Sequence, residues 1–74
     1  MDAGQYEKAI GDATELIGSN PLHEEFFNVR GLAQMQLAQY PKALQDFDHS
    51  HKLRPANAIT YLYRATCYKL MGQS

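Results

Sequence analysis

Residues 24–57 read EEFFNVRGLAQMQLAQYPKALQDFDHSHKLRPAN. An aromatic pair, Phe26 and Phe27, opens this stretch, and a small-residue step follows at Gly31. A turn comes at Ala38 to Tyr40; Ala43 and Phe47 then line a second half, which Pro55 closes. The same landmarks recur on both sides of it. Pro21 and Pro55 stand 34 residues apart, as do Tyr6 and Tyr40, Ala9 and Ala43, Asp12 and Asp46, and Arg30 and Arg64. A fixed period of this length is the mark of stacked helix–turn–helix repeats. Residues 24–57 are therefore one helical hairpin of a repeating structure.

Working outward, the spacing predicts four helices, at about 6–17, 24–37, 41–53 and 58–71. In the first, Tyr6, Ala9, Ile10, Ala13, Leu16 and Ile17 recur at the three-and-four spacing of one helix face. Gly18-Ser19-Asn20-Pro21 then stops it. The second opens with Glu24 and Glu25, whose charge suits a helix N-terminus, and turns Phe27, Gly31, Gln34 and Leu37 inward. A glycine inside a helix costs about 1 kcal/mol against alanine, so Gly31 implies close approach of a neighbouring helix. Pro41 suits the first position of the third helix, where its missing N–H costs nothing. Ala43, Leu44, Phe47 and Ser50 share one of its sides, and Lys52 and Arg54 suit its C-terminal end. Asn57 is a good N-cap for the fourth helix, which turns Tyr61, Ala65, Tyr68 and Met71 inward and stops at Gly72. The fold class expected is all-α, one domain over residues 1–74.

Composition narrows the function. The chain is 45% hydrophobic with a formal net charge of −1. No basic block offers a footprint for nucleic acid or an anionic membrane, and no apolar run is long enough to span a bilayer. Met1 to Tyr6 lacks the basic start and apolar core of a secretion signal, and the lone Cys67 has no partner for an internal disulfide. An intracellular, cytoplasmic setting is expected. So small a chain buries a thin core.

These residues resemble the tetratricopeptide repeat family over the whole chain. Phe27 and Tyr61 take the family's early aromatic position; Gly31 and Ala65 take the small position after it. Tyr68 meets the next bulky position, from which Gln34 departs. Tyr6 and Tyr40, Ala9 and Ala43, Phe47, and Pro21 and Pro55 meet the remainder, with Ala13 smaller than the family's aromatic. The resemblance implies antiparallel hairpins stacked as a right-handed superhelix, and a protein that binds other proteins in a concave groove. Glu25, Asn28, Val29, Leu32 and Gln36 would face that groove from the second helix, and Ile59, Leu62, Tyr63 and Thr66 from the fourth. Some members grip a chaperone's C-terminal carboxylate with a lysine, asparagine and arginine clamp. The matching positions here hold Val29, Ile59 and Tyr63, none of which donates a charge-assisted bond. An apolar stretch or an amphipathic helix of a partner is the expected occupant. Asn20-Pro21-Leu22-His23 is a faint match to an ankyrin box, but Glu24, Glu25 and Phe26 stand where alanines belong.

The repeat phase has a further implication. Met1 aligns with Met35 and Ser74 with Tyr40, giving half a repeat, a full one and another half. Either the chain is an excerpt of a longer array or another molecule covers its ends, where Ala9, Ile10 and Leu16, and Tyr61, Tyr68 and Met71, lack a neighbouring helix. Self-association of the first and last helices between copies is thus the alternative function. Arg30 and Arg64 recur in phase, as do Asp12 and Asp46, which predicts an arginine–aspartate ladder between helices.

Signals for chemistry are weak. His49 and His51 diverge by about 200° on a helix, so they do not share an ion; Asp46 and Asp48 diverge likewise. His23 reads as a cap or loop residue, and Cys67 as a small buried thiol with no base at a suggestive spacing. No enzyme, metal or cofactor is expected.

Overall fold

A computed structural model describes residues 2–72. Within them the chain forms four helices: α1 (Ala3–Ser19), α2 (Glu24–Gln36), α3 (Tyr40–Leu53) and α4 (Ala58–Met71). The described residues contain no strand, so the fold is all-α. The positions of Met1 and Ser74, on which the repeat phase was drawn, lie outside them.

Local chemistry explains the boundaries. α1 begins earlier than the apolar spacing implied, because the Asp2 carboxylate caps it by accepting from the Gln5 amide at 3.0 Å. Asn57 caps α4 as expected, accepting from the Ile59 amide at 3.1 Å. α2 ends in a tight reversal. The Gln39 amide donates to the Gln34 carbonyl at 2.8 Å, and the Ala38 amide to the Met35 carbonyl at 3.0 Å. That pairing places Ala38 in the left-handed region, at φ 59°.

Neighbours in sequence are neighbours in space. α1 packs on α2, α2 on α3 and α3 on α4, and α2 also touches α4. The result is a slab of 36 × 30 × 17 Å. Its core is built from Met35, Ala43, Phe47 and Cys67, with Leu32, Tyr40, Leu44, Tyr63 and Leu70 packed around them. Phe27, Gly31 and Gln34 are buried on α2 as expected, whereas Leu37 is only half-buried. The Phe47 ring lies against Gly31, where an added β-carbon would sit 2.6 Å from Cε1. Gly31 is therefore the notch that admits Phe47.

The inward face of α4 differs in part from the expectation, while its outer face is uncovered, as the repeat phase implied for Tyr61, Tyr68 and Met71. Thr60 and Cys67 are buried on the inward face, with Tyr63 and Leu70 packed on the core. Tyr61, Tyr68 and Met71 are 64%, 54% and 42% exposed, and Ala65 is exposed too. Those four occupy the repeat positions that α3 covers on α2; on α4 no described helix covers them.

The ladder appears as one complete rung. Arg30 Nε donates to Asp46 Oδ2 at 2.8 Å and Nη2 to Oδ1 at 2.7 Å. Its Nη1 donates to Thr14 Oγ1 at 3.2 Å, so one guanidinium ties α1, α2 and α3 together. Arg64 departs from the ladder: its Nε lies 3.1 Å from Asp48 Oδ1, at ion-pair distance but not aligned as a hydrogen bond. Asp12 is exposed and makes no ion pair among the described residues.

Candidate functional site

The slab carries a trough formed by α1, α2 and α4. One part, about 250 Å³, is lined by Glu25, Asn28, Val29, Leu32, Asn57, Ile59 and Tyr63. The adjoining part, about 200 Å³, is lined by Tyr6, Ala9, Val29, Leu32, Ala33 and Gln36. Val29 and Leu32 belong to both, so the two parts are continuous across α2.

The helix pattern explains this lining. Val29, Leu32 and Gln36 recur at the three-and-four spacing on the side of α2 away from Phe27 and Gly31. Val29 is 47% exposed and Ile59 54%, an unusual amount of branched aliphatic surface to leave in water. Tyr63 has a double role: it borders the trough and tilts its ring onto Phe47, with centroids 5.6 Å apart.

The floor is polar at one point. Asn28 Nδ2 donates to Thr60 Oγ1 at 2.9 Å, and Thr60 Oγ1 lies 3.2 Å from Ser50 Oγ. All three residues are buried, and they stitch α2, α4 and α3 together. Asn28 Oδ1 is buried and accepts no hydrogen bond among the described residues. A buried acceptor left unpaired costs about 1–3 kcal/mol.

The structure brings Glu25, Asn28, Val29, Leu32, Gln36, Ile59 and Tyr63 together along the trough. Leu62 and Thr66 line neither part. Leu62 is 62% exposed, and the exposed Thr66 turns its hydroxyl back to the Leu62 carbonyl at 2.9 Å. Sequence reasoning missed Tyr6, Ala9, Ala33 and Asn57. The small side chains of Ala9 and Ala33 were the available signal, because small residues open space between helices.

The other polar residues serve packing. His49 stacks on Phe27 with centroids 4.2 Å apart, and the Arg30 guanidinium sits 5.8 Å over the same ring. His23 packs edge-on against Phe26 and lies 3.9 Å from Glu25. The Asp46 hydrogen bonds hold the Arg30 pKa above its ordinary value against the opposing effect of burial. Burial pushes the Cys67 thiol up, the neutral form of a thiol whose Sγ donates to the Tyr40 carbonyl at 3.6 Å. No group of three or more histidine, cysteine, aspartate or glutamate side chains is placed to hold a metal ion among the described residues. No described helix is long and apolar enough to cross a membrane.

Comparison with known proteins gives a similarity to Sperm-associated antigen 1 of Rattus norvegicus, 33% identical over 67 residues. That alignment covers 90% of this chain and 7% of the relative. No family model matches, and no solved structure matches. The four helices, their period and this similarity are compatible with a tetratricopeptide arrangement.

Proposed function

We propose that the chain is a protein-interaction module of tetratricopeptide type, whose trough binds an apolar peptide segment of another protein. The supporting observation is the largely apolar lining that α1, α2 and α4 share through Val29 and Leu32. Valine- and leucine-lined surface favours apolar side chains on that segment. The right-handed superhelix, a cytoplasmic setting and the absence of catalysis belong to the same reading.

A peptide-display selection on the folded chain tests it. Selected peptides are expected to be apolar and to shift the amide resonances of Val29, Leu32, Ile59 and Tyr63. Leu32→Asp should abolish their binding, while Leu62→Asp, outside the trough, should leave it intact. Equal loss in both variants, or selected peptides that shift other residues, would remove the proposal.

A further inference from the structure

The face of α3 that receives α2 has a near duplicate on α1. Gln39, Tyr40, Lys42, Ala43 and Asp46 are repeated one period earlier as Gln5, Tyr6, Lys8, Ala9 and Asp12. On α3 the centre of this face is covered, with Ala43 0% exposed and Asp46 5%, while Gln39 and Lys42 stay exposed. On α1 it is open. Ala9 is half-buried, Asp12 is exposed, and Gln5, Lys8, Ala9 and Asp12 line a shallow surface depression.

The element that such a face accepts is defined by α2. It presents Phe27, then Arg30 and Gly31: an aromatic, an arginine three residues on, and a small residue beside it. α4 carries the same set as Tyr61, Arg64 and Ala65, and with Tyr68 these residues line an open depression of their own. The two faces also agree in volume. Gly31 must be glycine because Phe47 fills the notch. One period earlier, Phe47 is replaced by Ala13, so an alanine at position 65 meets no ring.

We infer that α4 of one copy docks on α1 of a second copy, with Arg64 closing on Asp12 of that copy as Arg30 closes on Asp46. The occupant is a second copy because this chain bears both halves of the match and their charges are opposite. Arg64 makes no side-chain hydrogen bond among the described residues, and its ion pair with Asp48 leaves its donors unaligned. α1 and α4 do not touch each other, and they flank the α2–α3 pair. The contact is therefore heterologous and repeats head to tail, extending the stack from copy to copy. Tyr6 and Ala9 belong both to this face and to the trough, so the two readings are told apart by Val29 and Leu32, which the contact does not use.

Charge reversal tests the inference on the 74-residue chain. Light scattering from micromolar to millimolar concentration should show a mass that climbs beyond the dimer. Asp12→Arg and Arg64→Asp each create a like-charge contact, and each should weaken association about tenfold or more. Mixing the two variants restores an opposite pair at every junction and should restore assembly. The double variant Asp12→Arg/Arg64→Asp should assemble by itself. Circular dichroism checks that every variant remains helical, Arg64→Asp above all, because Arg64 also pairs with Asp48 within the chain. A chain that stays monomeric throughout would overturn the inference. So would single reversals that assemble like the wild type, or a mixture no better than its components.

Discussion

Phe47 occupies the space that a side chain at position 31 would need. The ring is wholly buried, and its Cε1, Cδ1 and Cζ atoms all lie within 3 Å of where a Gly31 β-carbon would stand. On helix propensity alone, Gly31→Ala would stabilise α2 by about 1 kcal/mol. The clash reverses that sign, because overpacking a close-packed core costs roughly 1–3 kcal/mol. The expected result is a net loss on the order of 1 kcal/mol in urea denaturation. Adding Phe47→Leu to Gly31→Ala should recover part of it, since the smaller side chain withdraws from the notch.

Asp46→Asn removes the charge that Arg30 grips with two nitrogens. Asp46 is almost fully buried and the Arg30 side chain about a fifth exposed, so the lost attraction is not replaced by water. Breaking such a pair leaves a guanidinium poorly compensated. The variant is expected to lose about 2 kcal/mol, lowering the melting temperature by roughly 10 °C. Asp12→Asn, at the same repeat position but exposed, should change it little. Equal effects at the two positions would contradict the assigned geometry.

Ala38 adopts φ 59° to end α2, a conformation that suits glycine. Ala38→Gly relieves that strain while giving the unfolded chain more freedom, and the two effects oppose each other. Relief of strain is the larger, so the variant should gain about 0.5–1 kcal/mol in chemical denaturation. Ala38→Val, β-branched at the same φ, should lose more than Ala38→Gly gains.

The Cys67 thiol is held neutral by burial. Its folded pKa lies above the unfolded value, so the unfolded chain gives up the proton first. The stabilisation is complete at neutral pH and declines as pH rises past about 8.5, the ordinary thiol value. Urea midpoints for wild type and Cys67→Ala should therefore converge between neutral pH and pH values near 10. Aromatic disulfide reagents should label Cys67 only at the rate of unfolding.

The period was the most legible feature. Proline spacing and the tyrosine and alanine landmarks located all four helices, because they mark turns and packing positions whatever lies around them. Two features escaped for physical reasons. The first turn of α1 carries no apolar face, and only the Asp2 cap sets where it starts. The inner face of α4 escaped in part: Thr60 and Cys67 are the residues buried there, while Tyr61, Tyr68 and Met71 stay open, as the repeat phase implied. In the trough, Val29, Leu32, Ile59 and Tyr63 follow from helix spacing. Tyr6 and Ala9 do not, because their repeat counterparts Tyr40 and Ala43 belong to the core. The Asn28–Thr60–Ser50 junction joins residues far apart in sequence, which no local pattern announces.

α1 rests on α2 alone, and Ala13 is its one buried residue. If α1 lifted away the Phe47 core would remain closed, since no residue of α1 belongs to it. Amide hydrogens of α1 should consequently exchange with deuterium well before those of α2 and α3. Opening would then proceed from one edge inward, with protection rising helix by helix toward the Arg30–Asp46 rung.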